Sequence, residues 1–171
     1  MSDGKTIVIG ADDAGFGLKG IIEGYLDDLG VAYEDVGVDT PDATALGIDY
    51  PDVAETVAVG IRDGRYDRGI LICGTGIGMA IAANKVPGVR AAQAHDVYSA
   101  QRARKSNDAQ VLTMGARVIG PEAAKTIVAA WLESEFDGGG STRKVAKIVD
   151  LERRLGEAPS AGASPAEAEP V

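Results

Sequence analysis

Cysteine is almost missing from this chain: among 171 residues there is one, Cys73. A single thiol excludes an intrachain disulfide framework, and without a CxxC or a Cys/His cluster no structural zinc motif exists. Histidine is equally scarce, with His95 alone. Aromatic residues make up only 5%, so a core has to be built from Val, Ile, Leu and Ala. No apolar run reaches the length of a transmembrane helix, which argues against a membrane protein. The opening MSDGKTIVIG lacks the basic-then-apolar layout of a secretory signal, so a cytoplasmic protein is the simple expectation. Positive charge is in short supply too, with 17 Lys and Arg against 26 Asp and Glu, a formal net charge of −9. That balance disfavours nucleic acid, which is bound mainly through cationic contacts to phosphate. A small anion stays open, because binding one needs only a local group of donors.

What the chain does have is alternation. TIVIGA (6–11), VAYEDVG (31–37), RGILICG (68–74), GVRAAQA (88–94) and AQVLTMGAR (109–117) read as strands. Between them lie segments with helical apolar spacing: 15–30 closed by Gly30, 52–64 closed by Gly64, a short one over 78–84, and 96–107 with Asp96 as N-cap. Helices over 120–136, with Pro121 in the first turn, and 143–157 follow. Strands alternating with helices predict an α/β fold, a three-layer α/β/α sandwich around a five-stranded parallel, Rossmann-like sheet. One domain covers residues 1–156, and 157–171, rich in Ala, Pro and Glu, is a tail without a core-forming pattern.

In such folds ligands bind at the carboxyl ends of the strands. That rule selects Asp12-Asp13, the loop before Tyr50, the turn Cys73–Gly78, His95-Asp96 and the segment Gly115–Arg117. Gly74, Gly76 and Gly78 could turn several amides into one concavity at a helix start, suited to phosphate or a developing oxyanion. They could equally serve close packing. The spacing G-x-G-x-G departs from the dinucleotide pattern, and no acidic ribose partner follows, so NAD is the weaker reading. Cys73 is either a base or nucleophile favoured as thiolate by the turn, or a small buried hydrophobe. Thr75 could donate to a substrate oxygen or cap the helix. Asp12 and Asp13 could bind sugar hydroxyls or cap a helix; no third acid supports a metal. His95 has a structural and a functional reading. Arg117, Arg143 and Lys144 are candidate phosphate partners, whereas Arg102, Arg104 and Lys105 read as a solvated helix face.

The blocks IGADDAGFGLK, DYPDVA, GILICGTGIGMAIAANKVPGVRAA, YSAQRARKSNDAQVLTMGARVIG and AAKTIVAAWL resemble the ribose-5-phosphate isomerase B / galactose-6-phosphate isomerase family over about residues 6–150. The resemblance implies an aldose–ketose isomerase working through a cis-enediolate, without metal or organic cofactor. It implies a homodimer with active sites at the interface; whether dimers pair into tetramers stays open. Cys73 is then the base between C1 and C2, Thr75 assists at the substrate oxygens, and the amides of Gly74 to Gly78 stabilise the enediolate. Asp12, Asp13, Tyr50, His95 and Arg117 join the substrate-binding set. Asn107 matches a residue that reaches substrate from the neighbouring subunit.

Departures from the family pattern bear on the substrate. Asp13 stands where ribose-5-phosphate isomerases of this type have histidine, and Ser106 stands where they carry the histidine credited with opening the furanose. Gly140 and Lys144, with Arg143 adjacent, replace two phosphate-gripping arginines. A tetrose 4-phosphate has no free 4-hydroxyl and cannot form a furanose, so its isomerase needs no ring opener. The stretch from His95 to Gly120 looks more like the tetrose-phosphate branch, with D-erythrulose 4-phosphate and D-erythrose 4-phosphate as the expected pair. Ribose 5-phosphate is the alternative, and a subunit role in a galactose-6-phosphate-type enzyme a third, which the presence of Cys73, Thr75 and the glycines disfavours.

Overall fold

The computed structural model describes residues 6–156. The proposed tail, and the first residues of the proposed domain, lie outside them. Five strands, β1 (Ile7–Ala11), β2 (Tyr33–Asp35), β3 (Arg68–Cys73), β4 (Ala91–Gln93) and β5 (Val111–Gly115), form one all-parallel sheet in the order β2-β1-β3-β5-β4. Among the described residues six helices accompany it: α1 (Phe16–Asp28), α2 (Tyr50–Arg62), α3 (Ile77–Ala83), α4 (Val97–Asn107), α5 (Pro121–Leu132) and α6 (Thr142–Gly156).

The period of two along β3 divides its side chains between two cores. Ile70 and Ile72 join Leu18, Ile22 and Leu26 of α1, Ala100 and Ala103 of α4, and Ile127, Val128 and Trp131 of α5. Leu71 and Cys73 join Val53 and Val57 of α2 and Met79 and Ala83 of α3 on the other face. A run buried on both faces is what a central parallel strand requires. The α/β/α layering is therefore the predicted one, and Cys73 faces the α2–α3 side because Leu71 does.

Several boundaries differ from the sequence expectation. α2 starts at Tyr50, two residues early, because Asp49 caps it through a reciprocal pairing with Asp52 and Pro51 occupies its first turn. The preceding loop holds a single 3₁₀ turn, Ala43–Leu46. α5 ends at Leu132 rather than near residue 136. Its last carbonyls are taken by Arg68, whose guanidinium donates to Trp131 O at 3.0 Å, Leu132 O at 2.9 Å and Ser134 O at 2.7 Å. This cation at a helix C-terminus complements the dipole while buried beneath Trp131.

Arg104 corrects the solvated-face expectation for α4: it is buried, donating to Ala109 O at 2.8 Å and pairing with Asp108 at 3.0 Å. Lys19 is buried as well, bound to the Asp35 carboxylate and to Val38 O. That contact anchors the exit of β2, from which the 3₁₀ turn runs back over the carboxyl edge of the sheet.

Candidate active site

Strand order decides where the site lies. β1 leads outward to β2, and the chain then crosses back to β3, so β1 and β3 are neighbours whose following loops diverge. This switch point opens a crevice at their carboxyl ends. A cleft of about 600 Å³ occupies it, lined by Asp12 and Asp13 after β1, by Cys73, Gly74 and Thr75 after β3, by Tyr50 and Gly78 of the flanking helices, and by Arg117 after β5.

Asp12 is drawn beside Cys73 by an extension of the ladder, its N–H donating to Ile72 O at 3.3 Å. Only glycine fits at position 15 there, since a Cβ would lie 2.2 Å from the Ile72 carbonyl oxygen. Asp12 Oδ1 accepts the Gly15 N–H at 2.9 Å. Burial pushes the Asp12 carboxyl above the usual carboxylate range, opposed by the Gly15 amide and raised further by the charge of Asp13. Asp13 accepts from the Ala14 N–H and, at 2.9 Å, from Thr44 Oγ1, which closes the 3₁₀ turn over the cleft.

The Cys73 turn is fastened from outside. Ala116 N–H donates to Cys73 O at 2.8 Å, Arg117 N–H to Gly74 O at 3.0 Å, and Thr113 Oγ1 to Gly76 O at 2.9 Å. Gly76 adopts φ +79°, and a Cβ there would stand 2.9 Å from the Met114 backbone, so both conformation and space demand glycine. With carbonyls committed outward, amides turn inward: the Gly76 N–H donates to Cys73 Sγ at 3.0 Å. Cys73 is only 5% exposed, yet it borders the cleft. Thr75 Oγ1 accepts from the Ile77 N–H at 3.3 Å, which leaves its O–H to donate. The Arg117 side chain passes over Gly74, 3.4 Å from where a Cβ would be, an ordinary contact distance.

Thus Asp12, Asp13, Tyr50, Cys73, Gly74, Thr75, Gly78 and Arg117 converge. Gly76 supports the turn from behind. His95 lies outside the cleft lining, where its Nε2 accepts the Gly115 N–H at 2.9 Å. Asn107 ends α4, which returns from the carboxyl edge over 11 residues, about 16 Å, to the opposite edge of the sheet. Arg143 and Lys144 are exposed on α6. Sequence reasoning selected the loop before Tyr50 and the Cys73–Gly78 turn, but did not single out Ala14, Thr44, Asp49, Ile77 or Ile81 in the lining. Asp49 carried a legible signal, the D-x-x-D capping pattern. Thr44 carried none.

A thiol, an amide turn and an arginine around a cleft at the switch point of a parallel sheet form a site suited to a small anionic molecule. The family model Ribose/Galactose Isomerase matches residues 7–148, and the chain belongs to that family. Several of its members are named as isomerases of small phosphorylated sugars. The D-erythrulose-4-phosphate isomerase of Pectobacterium atrosepticum is 59% identical over 143 residues, 84% of this chain and 92% of that protein. Ribose-5-P isomerase B of Listeria innocua is 48% identical over 148 residues, 86% and 97% of the two chains. The solved ribose-5-phosphate isomerase B of Clostridium thermocellum superposes with a TM-score of 0.83 at 43% identity, covering 88% of this chain and 99% of that one.

Proposed function

We propose that the protein interconverts D-erythrose 4-phosphate and D-erythrulose 4-phosphate. The observation that carries the chemistry is the amide-held sulfur of Cys73 at the floor of the cleft. Cys73 as thiolate takes the proton from C2 of the aldose, and the electron pair moves onto O1 to give a cis-enediolate. The thiol returns the proton to C1 while the hydroxyl proton passes from O2 to O1. Amides of the Gly74–Gly78 turn and the Thr75 hydroxyl meet the developing oxyanion. Asp12 and Asp13 bind sugar hydroxyls, and Arg117 meets the phosphate.

The tetrose is favoured by Ser106, whose Oγ accepts from Arg102 Nε at 2.8 Å where a ring opener would stand, and by the 59% identical relative. Ribose 5-phosphate is the second reading, favoured by the relative from Listeria. Comparing kcat/KM on the two aldose phosphates tests this. A preference of about tenfold for the tetrose, about 1.4 kcal/mol of transition-state stabilisation, is expected. An equal preference for ribose 5-phosphate overturns it.

We further propose a homodimer. One protomer's cleft sets three carboxylates, Asp12, Asp13 and Asp49, beside one arginine, too little positive charge for a phosphate dianion. α6 leaves Ile148, Val149, Leu151 and Leu155 exposed. Packing these residues on a partner would carry Arg143, Lys144 and Asn107 toward the partner's cleft. Mixing inactive Cys73→Ala and Asn107→Ala variants should restore activity through hybrid dimers holding one intact site. No recovery after subunit exchange would argue for self-contained sites.

A further inference from the structure

Gln93, the last residue of β4, falls in the predicted strand GVRAAQA but in no candidate site, and it lies outside the cleft lining. Its exposed side chain donates from Nε2 to the carbonyl oxygen of Thr75 at 2.7 Å. The same peptide unit carries the Gly76 N–H that donates to Cys73 Sγ at 3.0 Å. That peptide is trans, so its C=O and N–H point in opposite directions. A donor that holds the oxygen outward therefore aims the N–H at the sulfur. Gln93 reaches the thiol through a single rigid group.

Such a restraint is needed at this place. Gly76 brings no side chain of its own to resist rotation of the Thr75–Gly76 peptide, which is held by packing against the Met114 and Gly115 backbone and by the directed contact from Gln93. Thr113 secures only the following peptide, through Gly76 O. A rotated peptide would turn a carbonyl dipole toward the sulfur in place of an N–H. The thiolate would lose a hydrogen bond and gain a repulsion, both strengthened by the low exposure of Cys73. Donation from Gln93 to the carbonyl also polarises the peptide, which makes its N–H a better donor.

We propose that Gln93 is a positioning residue for catalysis: by holding the Thr75 carbonyl it keeps the Gly76 amide on Cys73 Sγ and so maintains the reactive thiolate. The proposal rests on the reading of Cys73 as the base. It assigns Gln93 no contact with substrate, so its loss should act on turnover rather than on binding.

The test compares wild type, Gln93→Leu and Gln93→Glu. Glutamate keeps the shape but replaces the donor by an oxygen that repels the Thr75 carbonyl. Because Cys73 is the only cysteine, iodoacetamide at neutral pH reports on it alone and without turnover. For Gln93→Leu, kcat and the alkylation rate should each fall about tenfold while KM stays within about twofold. Gln93→Glu should lower both rates further. Gln93 is exposed, so neither variant opens the core, and unchanged far-UV circular dichroism verifies the fold. Unaltered alkylation in both variants overturns the proposal, whatever the activity does. A rise in KM at constant kcat overturns it as well, by marking Gln93 as a binding residue. Full activity in Cys73→Ala would instead remove the reading of the thiol as base, while the alkylation comparison still reads the Gln93 contact.

Discussion

The ring of Tyr50 rests on Gly78: a Cβ at that glycine would stand 2.5 Å from Tyr50 Cε2 and 2.8 Å from Cζ. The contact joins the first residue of α2 to the first turn of α3 and forms one wall of the cleft. Tyr50 is partly exposed and can move, so Gly78→Ala should shift the ring without unfolding the protein. KM should rise by about tenfold with a melting temperature within a few degrees of wild type. Gly76→Ala should behave oppositely, because its positive φ and the Met114 backbone leave no room to adjust. A loss of about 2 kcal/mol or more in chemical denaturation is expected there.

Removing the base should stop the chemistry while leaving the fold. Cys73→Ala and Cys73→Ser should each lower kcat at least about a thousandfold, within the range spanned by general-base catalysis. Neither needs to disturb the turn, since the outer hydrogen bonds from Ala116, Arg117 and Thr113 do not involve the sulfur. Exchange of the C2 deuteron of substrate with solvent offers a direct check, and it should vanish in both variants.

Asp12 makes stability depend on pH in a definite direction. Burial raises its folded-state pKa above the ordinary value of 3.8. The native state therefore holds this proton more tightly than the unfolded chain. The contribution is favourable at pH values below 3.8 and is lost as pH rises through the folded-state value. Asp12→Asn keeps an acceptor for the Gly15 N–H and removes the charge. At neutral pH it should melt at or above wild type, with the difference closing below pH 3.8, as a pH series of thermal unfolding would read. Its kcat/KM should fall by about tenfold, through loss of charge-assisted contacts to the sugar.

Arg68→Met should be among the most destabilising single changes. The guanidinium donates to three carbonyls at the end of α5, and methionine takes that donor from the Leu132 and Ser134 carbonyls, while Trp131 O keeps the Ser134 N–H. A loss of about 3 kcal/mol in urea denaturation, with an unchanged slope, is expected. The distance from the cleft predicts normal KM in the protein that remains folded.

Much of this could be read along the chain. The apolar block RGILICG announced a strand buried on both faces, and its alternation put Cys73 with Leu71. Asp96 and Pro121 marked helix starts that the structure keeps, with Asp96 accepting the Ser99 N–H at 2.7 Å. Arg104 was misread because its partners, Ala109 O and the Asp108 carboxylate, are recruited only when α4 ends in the left-handed Asp108 and folds back. Gln93 and Thr44 were invisible for a related reason. Their partners stand 18 and 31 positions away, and nothing in the local composition indicates them.

By itself the sequence determined the alternation of strands and helices, the glycines of the Cys73 turn and the segments at the carboxyl edge. Each of these follows from apolar period, turn chemistry or motif, which act over a few neighbouring residues. Tertiary structure decided that Asp12, Tyr50, Cys73 and Arg117 share one cleft while His95 and Asn107 stand apart from it. It also decided that the Gly76 amide faces sulfur. Those outcomes depend on the order β2-β1-β3-β5-β4 and on the orientation of single peptide planes, set by contacts between residues far apart in the chain.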